Sequence, residues 1–195
     1  MKIVPGKILN ENIAFYYAIY LLFLLLSTFL IAWLGFFVGF EISALYFPFS
    51  ILLSSALFFY NVQKLVKASL ALRHLVVINL FLAGIFFICI NVFDTSYDGL
   101  WYHQPAIIKL AEGWNPVNRP FYDTTQYDVS NYLWIQHYPK ASWTIAACIY
   151  KMTGLIESGK MINFIVVACV FFYSYVVFSK IFKIGRAHVW TPVTG

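Results

Sequence analysis

The chain has 195 residues, of which 62% are hydrophobic, 21% aromatic and only 11% charged. Soluble domains carry about 25% charged residues, so this composition excludes an ordinary soluble domain and points to a polytopic, all-α membrane protein. The net charge of +5 does not single out nucleic acid, because the lysines and arginines are scattered at the ends of apolar runs rather than gathered on one face.

A helix needs about 20 apolar residues to cross a hydrocarbon core. In chain order the runs fall at Ile13 to Val38, Ile42 to Val62 and Leu75 to Phe93, then a shorter one at Ala141 to Ile156 and a full one at Met161 to Phe182. About five transmembrane helices are therefore expected, with one large outer loop over residues 94–140 bearing short helices parallel to the membrane. The first run is too long for a secretory signal and lacks a small-residue cleavage pattern, so it reads as a retained span. Cys89, Cys148 and Cys169 lie inside apolar runs without paired spacing, which fits core thiols rather than a disulfide or metal framework.

Basic residues in short loops mark the cytoplasmic side. Lys2 and Lys7 precede the first run, Lys64, Lys67 and Arg73 follow the second, and Lys151 and Lys160 flank the last turn. The link around Gly39-Phe40-Glu41 has no basic residue. An inner membrane location is expected, with the N-terminus cytoplasmic, the 94–140 loop outside, and Lys180 on the outer side as a mismatch.

That loop begins with Asp94-Thr-Ser-Tyr-Asp-Gly-Leu-Trp-Tyr-His-Gln-Pro and holds five of the eight acidic residues, Asp94, Asp98, Glu112, Asp123 and Asp128, together with His103 and His137. Its aromatics, among them Trp101, Tyr102, Trp114, Tyr122, Tyr127, Tyr132, Trp134 and Tyr138, suit the membrane interface. Pro105 suits the first turn of a short helix over Ala106 to Glu112, which Gly113 and Asn115-Pro116 then stop. Asp98 is an ionisable group held at a membrane surface, where a functional carboxylate and a solvated one are both reasonable readings.

The last residues, Lys183 to Gly195, break the pattern with a basic, polar string containing Gly and Pro. They resemble the translation of a common sequencing-library adapter, with Trp190 where one frame has TGA, a codon read as tryptophan in some bacteria. On that reading the native coding sequence continues past Phe182, the chain is an N-terminal fragment, and the tail takes no part in the fold.

The string YDGLWYHQPAIIKLAEGWNP, followed by IQHYPKASW and an apolar run, resembles the first large outer loop of the GT-C superfamily of membrane glycosyltransferases, such as protein O-mannosyltransferases and aminoarabinose transferases. The likeness covers about Asp94 to Ile156. Asp98, Tyr102 and His103 fit its aspartate with neighbouring aromatics, Gly113, Asn115 and Pro116 its turn, and His137, Tyr138 and Pro139 its Tyr-Pro element. Two departures stand out: three spans precede the aspartate where the family has one, and Asp94 competes with Asp98 for its place.

The resemblance implies sugar transfer from a polyprenyl-phosphate donor to an outer-face acceptor, with Asp98 as general base and Asp94 as its rival. Arg119, His137 and Lys140 are candidates to stabilise the leaving phosphate, and Tyr102, His103 and Tyr138 to line the substrate. Plainer roles stand beside these. Arg119 suits an anchor to lipid headgroups, Lys140 the start of the next span, His103 a bond within the loop, and Trp101 and Trp114 an interfacial belt. No ligand spacing such as His-x-x-x-His supports a metal, so no cofactor is expected. The competing reading is a non-catalytic membrane protein, a scaffold or transporter subunit. Transporters place polar groups or helix breaks at midplane, and these runs are nearly free of ionisable residues.

Overall fold

The structure of the chain is a computed structural model; it describes the backbone of residues 5–121 and 129–189 and the side chains of residues 12–121 and 133–182. Among the described residues every regular element is helical. Helices are the natural form of such runs, since a helix satisfies its backbone groups internally where no water can. The first three are α1 (Pro5–Phe37), α2 (Tyr46–Val62) and α3 (Ala68–Asn91).

Three helical segments, Asn12–Phe37, Ala68–Asn91 and Ile156–Phe182, are long and apolar enough to cross a membrane, whereas Tyr46–Val62 is shorter. At 1.5 Å per residue α3 spans about 36 Å and α2 about 25 Å, against a hydrocarbon core of about 30 Å. Helix α3 starts well before the expected Leu75, because hydropathy marks only the lipid-facing stretch and the helix carries Arg73 and His74 within it.

Helix α1 is the central strut. Tyr20, Leu21, Leu24, Thr28, Ala32 and Phe36 are buried against its neighbours, while Leu22, Leu26, Leu30 and Leu34, spaced by four, stay exposed. Tyr17 Oη lies 2.8 Å from His74 Nδ1 and Tyr20 Oη donates to Asn79 Oδ1 at 3.0 Å, which ties α1 to α3. Tyr17 also meets Phe58 of α2 and Phe172 of the last helix, α7 (Met161–Val189). Helix α7 continues past Phe182 to Val189, while residues 190–195 lie outside the described residues.

Between α3 and α7 come a π-turn (Gly99–His103), α4 (Gln104–Ala111), α5 (Val129–His137), α6 (Ala141–Thr153) and a 3₁₀ turn (Ile156–Lys160). The expected short helix is present as α4. Gly113, with φ +108°, closes it: Trp114 N–H reaches Lys109 O at 2.9 Å and Gly113 N–H reaches Leu110 O at 3.4 Å, the paired bonds of a left-handed glycine cap. A side chain there would also collide with Glu41 of the α1–α2 link.

The cap built from residues 92–160 sits where α1 and α3 finish. Asn115 Nδ2 and Asn118 Nδ2 donate to Phe36 O, at 2.9 and 3.3 Å, and thereby satisfy a C-terminal carbonyl of α1. Lys160 Nζ bonds Val92 O, and Asp94 N–H donates to Glu157 Oε1 at 3.1 Å.

These contacts correct the expected crossing at 141–156. Helix α6 is 13 residues long, about 20 Å, and Gly154 in the left-handed conformation (φ +71°) ends it with N–H bonded to Tyr150 O at 2.8 Å. Every residue from Trp143 to Ile149 is buried, so its apolarity answers to protein neighbours all round rather than to lipid on one side. Lys160 consequently lies at the same end as Asp94, and Lys151, whose Nζ caps Ala111 O at 2.7 Å, lies with α4 rather than at the opposite end as expected.

A cysteine-accessibility experiment checks this. With the three native cysteines replaced, Lys160→Cys and Val117→Cys are expected to label from the same side of the membrane, and Lys64→Cys from the other. Labelling of residues 117 and 160 from opposite sides would restore the crossing at 141–156.

Candidate functional site

The two carboxylates of the 94–105 string have separate fates. Asp94 Oδ1 accepts Ser96 N–H at 2.9 Å, Ser96 Oγ accepts Gly99 N–H at 3.0 Å, and Leu100 N–H reaches Ser96 O at 3.0 Å. The hydrogen bonds from Ser96 hold the Asp94 carboxyl below the usual carboxylate range, and Lys160 and His103 push the same way. A carboxylate so engaged is a fixed charge and a turn cap, and a weak proton acceptor.

Asp98 is exposed and stands at the head of the π-turn Gly99–His103. Such widened turns are rare and recur at functional sites. This one sends Tyr102 into the core and leaves His103 half-buried. The Asp98 charge acts on both, because they follow it by one helical turn.

His103 Nδ1 receives a hydrogen bond from Trp143 Nε1 at 2.8 Å. An indole nitrogen can only donate, so Nδ1 carries the lone pair and the imidazole proton sits on Nε2. Burial lowers the His103 pKa, outweighing the opposite pull of Asp98 and then Asp94. The neutral form is therefore the native one. Its stabilisation is complete above the ordinary imidazole pKa of about 6.5 and is lost as pH falls through the depressed native value. Thermal midpoints measured in detergent should fall on acidification below about pH 6.5, and less steeply in His103→Gln, which keeps an acceptor for Trp143 but does not titrate. Identical profiles for the two proteins would remove His103 from this role.

Tyr102, Tyr138, Trp134 and Trp143 join His103 in one ring cluster. Tyr102 lies 5.4 Å from Tyr138 and 6.4 Å from Trp143, and Tyr138 stacks on Trp143 at 6.0 Å and 21°. The structure thus brings together three of the expected substrate residues, Tyr102, His103 and Tyr138, as packed rings. Lys140 donates to Gln136 O at 2.7 Å and Tyr138 O at 3.1 Å, so it caps α5, and burial lowers its pKa. His137 is exposed at the last turn of α5. Arg119 is exposed on the turn after α4, with its carbonyl held by Trp114 Nε1 at 3.0 Å. Asp123, Asp128, Tyr122, Tyr127 and the side chain of Tyr132 lie outside the described residues.

A cleft of about 240 Å³ opens between the 94–105 segment, α6 and the start of α7, lined by Asp94, His103, Trp143, Glu157, Lys160 and Asn163 among others. Asp94 and His103 meet there, while Asp98, Arg119, His137, Tyr138 and Lys140 are not on its wall. Glu157 is only 9% exposed; its Oε1 takes the Asp94 N–H and its Oε2 lies 2.5 Å from Lys160 Nζ, an ion pair without hydrogen-bond alignment. Among the described residues no group of three His, Cys, Asp or Glu side chains converges as metal ligands would. Set against protein-family models, curated proteins and solved structures, the chain matches none.

Glu157 and Trp143 were not among the residues picked out from the sequence, and Lys160 was picked out only as a marker of topology. One signal was available. Glu157 is the sole acidic residue after Asp128, set between two apolar runs, and a carboxylate kept in such surroundings has a partner.

Proposed function

We propose that the chain is the base-bearing part of a membrane glycosyltransferase, which moves a sugar from a polyprenyl-phosphate donor to an acceptor on the side of the 92–160 cap. The observation that carries this reading is the π-turn: it begins at an exposed carboxylate, Asp98, and is pinned at its far end by the bond from Trp143 to His103. Held rigidly at the end of a bundle, Asp98 removes the proton from an acceptor hydroxyl as its oxygen attacks the anomeric carbon. The bond from that carbon to the phosphate oxygen breaks, and the lipid phosphate leaves with the electron pair. Arg119 and His137, both exposed on the cap, are the groups suited to meet that charge. Lys140 is spent on α5. Asp94 serves as turn cap and fixed charge.

The cap lies on the outer face of an inner membrane in this reading, and the N-terminus is cytoplasmic. Lys64, Lys67 and Arg73 at the opposite end support that direction. If α6 does not cross, Lys180 joins them, and the mismatch at the end of α7 disappears. The cap is too long for its own lysines to weigh much, because only short loops obey the positive-inside rule.

A non-catalytic scaffold is favoured by one observation: Lys140, Lys151, Lys160 and Asn115 all end on backbone carbonyls, as purely structural polar groups do. Sugar transfer decides between the two. The protein is purified in native lipid, and a panel of labelled polyprenyl-phosphate sugars is offered. Transfer supports the enzyme; none across the panel supports the scaffold.

A further inference from the structure

We infer that Glu157, on the 3₁₀ turn far downstream in sequence, is a positioning residue for Asp98, an inference that rests on the glycosyltransferase reading above. A continuous chain of contacts links the two. Lys160 Nζ grips Val92 O just after α3, and Glu157 Oε1 holds the Asp94 N–H at 3.1 Å. Asp94 in turn fixes Ser96, and Ser96 fixes Gly99 and Leu100, the residues that follow Asp98 directly. The Glu157–Lys160 pair therefore clamps the near end of the 94–104 segment, as Trp143 clamps its far end through His103.

The energetics favour a clamp over an incidental pair. Glu157 is nine-tenths buried, so its carboxylate has largely left water and is kept in place by Lys160, a quarter exposed at its side chain, and by the Asp94 N–H it holds. The 3₁₀ turn is itself rigid: Ser158 Oγ donates to Leu155 O at 2.6 Å and lies 2.7 Å from Thr153 Oγ1, and Gly159 packs on Ala146 of α6 so closely that a Cβ would sit 3.2 Å from it. Residues 92–100 are thus held by a turn that belongs to the α6–α7 framework. Misplacing a catalytic group by about 1 Å can cost about 10²-fold in rate, which makes the clamp a determinant of turnover without contact to substrate.

The test compares wild type, Glu157→Ala and Glu157→Gln, using peptide-resolved hydrogen exchange and the kinetics of sugar transfer. Glutamine keeps an oxygen for the Asp94 N–H; alanine does not. In Glu157→Ala, exchange over residues 94–100 should rise about tenfold with α1 unchanged, and kcat should fall about 10²-fold with donor KM held. Glutamine should restore both. Unchanged exchange at 94–100, exchange rising equally through α1, or an unchanged kcat would each overturn the inference. If wild type transfers no sugar from any donor while exchange still responds, the clamp exists but its catalytic purpose, and the enzyme reading with it, is overturned.

Discussion

Asp98→Asn is expected to lower sugar transfer about 10²–10⁴-fold, the contribution of a positioned general base, without altering the thermal midpoint. The fold should not notice the change, because Asp98 is exposed and its side chain caps no backbone group of the π-turn it precedes. Asn matches Asp in shape, so Tyr102 and His103 keep their packing. The informative partner is Asp94→Asn. Its amide oxygen can still accept the Ser96 N–H, but the fixed negative charge beside Lys160 and His103 is gone. A loss below about tenfold is expected there, in line with one weakened hydrogen bond. The reverse ranking, with Asp94→Asn inactive and Asp98→Asn active, would transfer the base to the cleft. Equal activity of both variants and wild type would remove either carboxylate from the chemistry.

Gly99→Ala is the second large effect. A Cβ on Gly99 would fall on top of Asp94 Oδ2 and 2.6 Å from Ser96 Oγ. Both atoms belong to the hydrogen-bonded turn that sets up the π-turn, so relief requires Asp94 to rotate off Ser96 N–H. Crowding of this kind costs about 1–3 kcal/mol. Transfer should fall with it, because the displaced backbone is the one that carries Asp98. The double variant Gly99→Ala with Asp94→Ala removes the clash with Asp94 and leaves only that with Ser96 Oγ, so its stability loss should be smaller than the two single losses combined. Additive losses would mean that the contact between Asp94 and Gly99 is not the cause. Gly84→Ala on α3 is the control: nothing lies within 4 Å of its added Cβ, so stability should hold or rise slightly.

Much of the 92–160 cap was legible in the sequence where a residue type has one backbone use. Pro105 near the start of α4 and Gly113 just past its end were readable because one lacks a donor and the other adopts positive φ without strain. The lysines misled. Lys140, Lys151 and Lys160 read as markers of topology or phosphate sites, yet each long stem brings its ammonium to a backbone carbonyl. Hydropathy also misled at 141–156, because a helix buried in protein and a helix buried in lipid have the same composition. Only length separates them, and Gly154 sets the length.

The sequence by itself determined the class and the candidate carboxylates. Apolar runs of membrane length can only be helices in lipid, and charges are so few that Asp94 and Asp98 stand out in the string that follows α3. Which carboxylate is engaged and which is exposed was decided by tertiary structure alone. That choice turns on Ser96, Glu157 and Lys160, the last two more than sixty residues away in sequence and brought to Asp94 only because α6 stops short and turns back. Local pattern encodes periodicity and caps; the pairing of distant charges depends on where whole helices end, and that is settled when the core around α1 and α6 packs.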